Sequence, residues 1–247
     1  MIVRDEGPTF LLITQPDHAR LSADLVAAMQ TEPALRTRMR DVVLLATREH
    51  DNGWAEVDAE PDIDPGGRPR DFMSGPAPVR RELWTRGVTR VATMDPHAGA
   101  LVAQHALTVY AYRQGDPDWK PFFATLFTLR NDLLERLGLS TGTPREAFDL
   151  EYRCVFLGDA LSLQWCNGWP GPEEALEYRA TLDGDTLVVS PDPFGGATVP
   201  FRVPGRRIPA RRYRDDADLR ATMAAAAAVV ATGTARGARP DDDERVG

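Results

Sequence analysis

The sequence predicts a mainly α protein: a helical bundle with a small antiparallel β appendage near the C-terminus. Apolar residues recur at helical spacing, behind recognisable start signals, from Thr14 to Cys166. Gly168-Trp169-Pro170-Gly171 then breaks that texture, and alternating segments with turn residues follow. With 247 residues and 43% hydrophobic content, the chain can bury a core that needs no disulfide.

Each element has a local reason. Thr9 to Gln15 is a short apolar, β-leaning run, and Thr14-Gln15-Pro16-Asp17 then reads as a helix start with a capping hydroxyl and an early proline. That helix carries His18, Leu21, Leu25 and Met29 on one stripe. A second helix runs from Asp41 to His50-Asp51 with Gly53 as its stop, placing His50 on the side of Val43 and Ala46. From Ala55 to Pro78 no period appears, so the segment reads as a lid or a mobile excursion. Val79, Leu83, Gly87, Val88 and Val91 mark a third helix. Asp95-Pro96 starts a fourth, with His105 on its apolar face and His97 in an exposed first turn. Trp119 to Leu137 forms a fifth. The sixth begins at a capping box, Thr143 to Glu146, and its stripe is Phe148, Tyr152, Val155, Asp159, Ser162 and Cys166. Beyond it, Tyr178–Leu182 and Thr186–Val189 form a hairpin. Thr198–Val203 and Arg206–Tyr213 are two further strands, and Asp215-Asp216 caps a final alanine-rich helix. The expected organisation is a helical core with an N-terminal strand over 1–170, hairpins and a C-terminal helix packed on it over 171–238, and a flexible tail over 239–247.

Composition narrows the function. A net charge of −8 argues against nucleic acid as a partner, which demands a basic face. Every basic residue but Lys120 is arginine, so lysine-dependent phosphate loops are excluded. No apolar run is long enough for a membrane span or a secretory leader. Cys154 and Cys166 lie about 18 Å apart along one helix, beyond disulfide reach. The expectation is a soluble, cytoplasmic protein with reduced thiols. Gly138-Leu139-Ser140-Thr141-Gly142 matches a serine-hydrolase elbow in letters only, because a helix and not a strand precedes it. The acidic run from Asp58 to Asp64 lacks the spacing of a calcium loop.

His18, His50-Asp51 and Asp159 stand on the inward stripes, or their edges, of three separate helices. Imidazole and carboxylate together suit one divalent transition ion, Fe, Mn or Zn, and a buried Asp159 requires a partner. The order His, His-Asp, Asp on successive helices resembles the HD superfamily of metal-dependent phosphohydrolases. More narrowly, Gln15-Pro16-Asp17-His18-Ala19, Arg48 to Trp54 and Asp159 to Leu163 resemble a bacterial family bearing a domain-of-unknown-function label, over most of the chain. The resemblance implies an HD-like helical core with His18, His50, Asp51 and Asp159 as metal ligands. It also implies hydrolysis of a phosphate ester or anhydride in a small metabolite or nucleotide.

In such a site Asp51 or His105 would orient a water or shuttle its proton. Arg68, Arg70 and Arg80 are candidates to receive a small anionic substrate, with Arg81 beside them, and Trp54 to wall the pocket. Dinuclear relatives use extra histidines, but His97 and His105 lie roughly 12 Å apart along one helix and cannot share an ion. Two further functions stay open: an iron-dependent oxygenase of the HD type, and a non-catalytic, metal-stabilised ligand-binding protein.

Overall fold

The computed structural model describes residues 1–240 and Asp242; most of the tail expected over 239–247 lies outside the described residues. Strands β1 (Ile2–Asp5) and β2 (Thr9–Ile13) lead into helix α1 (Gln15–Ala28). Helices α2 (Arg40–Glu49), α3 (Ala55–Ala59), α4 (Ala77–Met94), α5 (Pro96–Val109), α6 (Lys120–Arg136) and α7 (Gly142–Asn167) follow. The chain then forms β3 (Glu173–Ala175), β4 (Tyr178–Asp183), β5 (Thr186–Ser190), β6 (Thr198–Pro209), helix α8 (Asp216–Ala225) and β7 (Ala228–Gly237).

Helix starts follow their caps. The Thr14 hydroxyl accepts the Asp17 N–H at 3.1 Å, Asp95 accepts from His97 and Ala98, and Asp215 accepts from Asp218. The capping box expected at Thr143 does not form: α7 begins two residues earlier, at Gly142 behind Thr141, whose side chain caps nothing. Among the described residues no helix is long and apolar enough to cross a membrane.

The sheet corrects the expected fold class, an HD-like helical bundle with a small antiparallel β appendage. Seven strands form one sheet in the order β1-β2-β6-β7-β5-β4-β3. It is mixed, because β5 and β7 run parallel while the other neighbours are antiparallel. Two misread segments hid it. The two strands expected between Thr198 and Tyr213 are one, β6, whose Pro200 and Pro204 sit where only β7 pairs with it and β2 does not reach. The expected alanine-rich final helix ends at Ala225, and the next residues become β7 in the middle of the sheet. That strand turns Ala231, Gly233 and Ala235 inward. They are small because Trp165 and Phe201 occupy the space beyond: a Cβ on Gly233 would lie 2.5 Å from the Trp165 indole nitrogen.

Both faces of β2 are buried, its successive side chains alternating between two layers. Leu11 and Ile13 point into the main core with the helices, while Phe10 and Leu12 join Ile208, Tyr213 and Leu219 beneath α8. In the main core α1 packs on α7, α2 and β6; α5 packs on α4, α6, α2 and α7. The segment from Ala55 to Pro78 is anchored to the outer layer: Phe72 N–H donates to Met1 O at 2.9 Å and Tyr213 N–H to Gly67 O at 2.7 Å. Cys154 and Cys166 are both buried and unpaired.

Candidate metal centre

Three helices bring the sequence-identified residues together. His18 is one turn into α1, on the face of Gln15. His50 caps the C-terminus of α2, and Asp51 opens the following 3-10 turn, so adjacent side chains both reach the centre. Asp159 comes from the middle of α7, beside Gly158. A Cβ at Gly158 would meet Val26 Cγ2 at 2.5 Å and Thr47 Cγ2 at 3.3 Å. The glycine is therefore what lets α7 approach α1 and α2 closely enough for the three contributions to meet.

The ligand atoms converge. His18 Nε2 lies 3.2 Å from His50 Nε2, 3.4 Å from Asp51 Oδ2 and 3.1 Å from Asp159 Oδ1. His50 Nε2 lies 3.5 Å from the same Asp51 oxygen and 3.2 Å from the same Asp159 oxygen. An ion held at about 2.0–2.2 Å has ligand-to-ligand edges of about 2.8–3.6 Å for octahedral or tetrahedral geometry. All five separations fall inside that range. His50 Nδ1 donates to the Thr47 carbonyl at 2.7 Å, so in its neutral form Nε2 carries the lone pair. His18 Nδ1 lies 2.8 Å from Ser162 Oγ, whose hydroxyl donates to the Asp159 carbonyl; here too Nε2 is the free acceptor. Two lone pairs and two carboxylates gathered this closely suit a cation, and the buried cluster could hold a metal ion; the triad His18, His50 and Asp51 has metal-ligand spacing.

Without such an ion protons fill that role. Burial alone would lower both imidazoles, but Asp159 and Asp51 outweigh it, holding His18 well above the usual histidine range and His50 at about 9. Burial would raise Asp51 and Asp159. His50 and His18 offset it at Asp51, and His105, His18 and His50 offset it at Asp159, so both carboxyls stay well below the ordinary range.

His105 stands beside the centre, its Nε2 3.4 Å from Asp159 Oδ2. His50, His105 and Asp159 form a second group with metal-ligand spacing. A cavity of about 50 Å³ opens here, with Asp51, Asp159 and His105 on one side, Trp54, Phe72, Trp84 and Tyr110 around it, and Gln15 at its edge. Trp54 and Phe72 meet edge to face at 6.5 Å. A groove of about 200 Å³ between α7 and the β3–β4 hairpin shares Asp159 and Leu163 with it.

The candidate arginines lie further out. Arg68 pairs with Asp5 at 3.0 Å and Arg70 with Asp62 at 2.7 Å. Arg80 lies behind Tyr110, 5.8 Å from the ring centre, and Arg81 lies over Trp119. None of the four lines the 50 Å³ cavity. His97 is not exposed as its first-turn position implies: it is buried against Glu151, with Nε2 and Oε2 2.5 Å apart. Sequence reasoning missed Gln15 and Tyr110. Gln15 was detectable as the residue one turn before His18, whereas Tyr110 carries no sequence signal beyond its place near the end of α5.

No curated protein and no solved structure matches the chain. A family model described as a protein of unknown function, DUF3891, matches residues 1–210. The motifs around His18, His50-Asp51 and Asp159 all lie within that span, and the chain belongs to the DUF3891 family.

Proposed function

We propose that the protein is a metal-dependent hydrolase of a phosphate ester or anhydride in a small metabolite or nucleotide, with chemistry of the HD type. The observation that carries this reading is the convergence of His18, His50, Asp51 and Asp159 at coordination-edge separations beside an open cavity. These four would hold one divalent ion, Fe, Mn or Zn, whose charge the two carboxylates balance. When bound, such an ion supplies Lewis acidity to a phosphoryl oxygen and to a water. Asp51 fixes the centre and faces the cavity, where it would orient the water. His105, beside Asp159, is the cavity's imidazole outside the four ligands and would take and return the proton.

A cavity of 50 Å³ has room for little more than a water or two, so the rest of a substrate would extend past Leu163 into the 200 Å³ groove. Trp54 would wall the reacting end, and Arg80 is the candidate arginine nearest to it. Arg68 and Arg70 join substrate binding only by leaving Asp5 and Asp62.

A second reading, a two-ion iron oxygenase, draws on His105 Nε2 at 3.4 Å from Asp159 Oδ2, the carboxylate oxygen that does not face His18 and His50. Metal analysis of purified protein separates these readings. One equivalent, lost in His50→Ala and Asp159→Ala, together with turnover of a phosphorylated panel compound, supports the hydrolase. Two equivalents of iron with oxygen uptake support the oxygenase. Metal retention with neither activity supports a non-catalytic binding protein. Stable protein that takes up no metal overturns both enzymatic readings.

A further inference from the structure

A cavity of about 490 Å³ lies apart from the metal centre, within the range of about 300–1,000 Å³ that receives small-molecule ligands. It forms where β6 runs on past β2. Leu12 is the last residue of β2 to pair with β6, opposite Arg206, and at Thr14 the chain turns away into α1. Pro204 therefore has β7 alone beside it, and the end of α8 closes the space with Met223. Leu12, Pro61, Pro204 and Met223 supply apolar wall. None of the lining residues is a candidate metal ligand, and none lines the 50 Å³ cavity.

Four charged side chains also line it, and they are not equally committed. Asp17 pairs with Arg20 and accepts the Thr14 hydroxyl at 2.6 Å. Asp58, 6% exposed, holds the Met1 ammonium at 2.5 Å and accepts the Gln15 N–H at 2.6 Å. The arginines meet mainly neutral oxygen. Arg206, half-buried on β6, donates to the Ala226 carbonyl at 2.5 Å, and among the described residues it pairs with no carboxylate. Arg220 donates to the Pro61 carbonyl at 2.9 Å and the Glu60 carbonyl at 3.3 Å. Its carboxylate contact is Glu60 Oε2 at 3.9 Å, from a side chain 78% exposed, where an ion pair is weak. The charge left over at this cavity is positive.

We propose that the cavity is a second binding site, for an organic anion that joins an oxyanion head, carboxylate or phosphate, to an apolar body. Arg206 and Arg220 receive the head, since a guanidinium offers a planar set of donors matched to either oxyanion. Leu12, Pro204 and Met223 take the body out of water. The head sets the sign of the charge, and the body adds affinity that a bare ion lacks. This goes beyond the hydrolase reading and does not depend on the metal centre.

The test is calorimetric titration of the purified protein with four ligands of one chain length: octanoate, octyl phosphate, octanol and octylamine. At least one of the two anions should bind tenfold or more tightly than octanol and octylamine, and the one that does identifies the head. Substituting Arg206→Met and Arg220→Met together keeps the stems and removes both guanidinia. It should weaken the anion by about ten- to a hundredfold, the worth of hydrogen bonds to a charged group, and leave octanol little changed. Ala224→Trp puts an indole into the cavity from α8 and should weaken the anion at least tenfold with both arginines in place. A thermal midpoint close to wild type shows that each variant has folded. Arg206 also holds Ala226, so Ala224→Trp decides the matter if the arginine variant does not fold. An anion held at the metal centre instead would be unmoved by either variant. Unchanged anion binding in a folded variant, octanol or octylamine binding as tightly as both anions, or no binding of either anion by wild type would overturn the proposal.

Discussion

Replacing Asp159 by Asn keeps the volume of the side chain and removes the charge that both His18 and His50 face at 3.1 and 3.2 Å. Its effect can be sized from linkage. A ligand that binds only the folded state at a hundred times its Kd adds about 2.7 kcal/mol of stability. In a chain of 247 residues each kcal/mol moves the thermal midpoint by about 2–4 °C. Wild-type protein should therefore melt about 5–11 °C higher with saturating Mn, Fe or Zn than after chelation. Loss of an outer partner of a ligand costs 10–100-fold in metal affinity, and loss of the charged ligand itself costs at least the upper figure. At the same metal concentration Asp159→Asn then sits near its Kd, where the gain is about 0.4 kcal/mol and the shift about 1–2 °C. Differential scanning calorimetry with and without metal measures both. An equal rise in Asp159→Asn and wild type would show that the ion binds elsewhere, and no rise in wild type with any of the three metals would refute the centre.

Other perturbations test the supporting structure. Ser162→Ala removes the partner of His18 Nδ1 and should weaken metal binding 10–100-fold in chelator competition, with the four ligands intact. Gly158→Ala forces a methyl against Val26 and should cost about 1–3 kcal/mol. Its thermal midpoint should fall by several degrees, and metal affinity should fall with it because α7 is pushed away from α1. Burial pushes the Cys154 thiol up to about 12. Iodoacetamide at pH 8 should therefore leave Cys154 unmodified in native protein and alkylate it in denaturant, as peptide mass spectrometry would show.

The helical half of the molecule was legible because its signals are local. Thr14, Asp95 and Asp215 cap as their chemistry dictates, and stripe positions placed His18, His50 and Asp159 on inward faces of separate helices. Convergence itself was not legible, since it depends on Gly158 letting three helices approach. The sheet was illegible for a different reason. β7 presents Ala231, Gly233 and Ala235 to the core, residues that carry almost no hydrophobic signal, because Trp165 and Phe201 supply the bulk from across the interface. Its first residues also continue the alanine-rich helix in sequence, and nothing local marks the change at Ala226. Tyr110 matters through Trp84 and the cavity, which are tertiary relations.

The place of β7 also sets an order in time. The strand that joins β5 to β6 is the last in sequence among the described residues, and it lies beyond residue 210, where the family match ends. The hairpin of β1 and β2 is made well before its partner, the end of β6 at Arg206–Pro209. At about 5–20 residues per second that is a wait of roughly 10–40 s on the ribosome. A lone two-stranded hairpin is marginal in water, and unpaired strand edges are templates for aggregation. During that interval the edge of β2 that β6 will cover stays unpaired, and a message truncated after residue 210 would release a chain whose β5 and β6 never gain the strand between them.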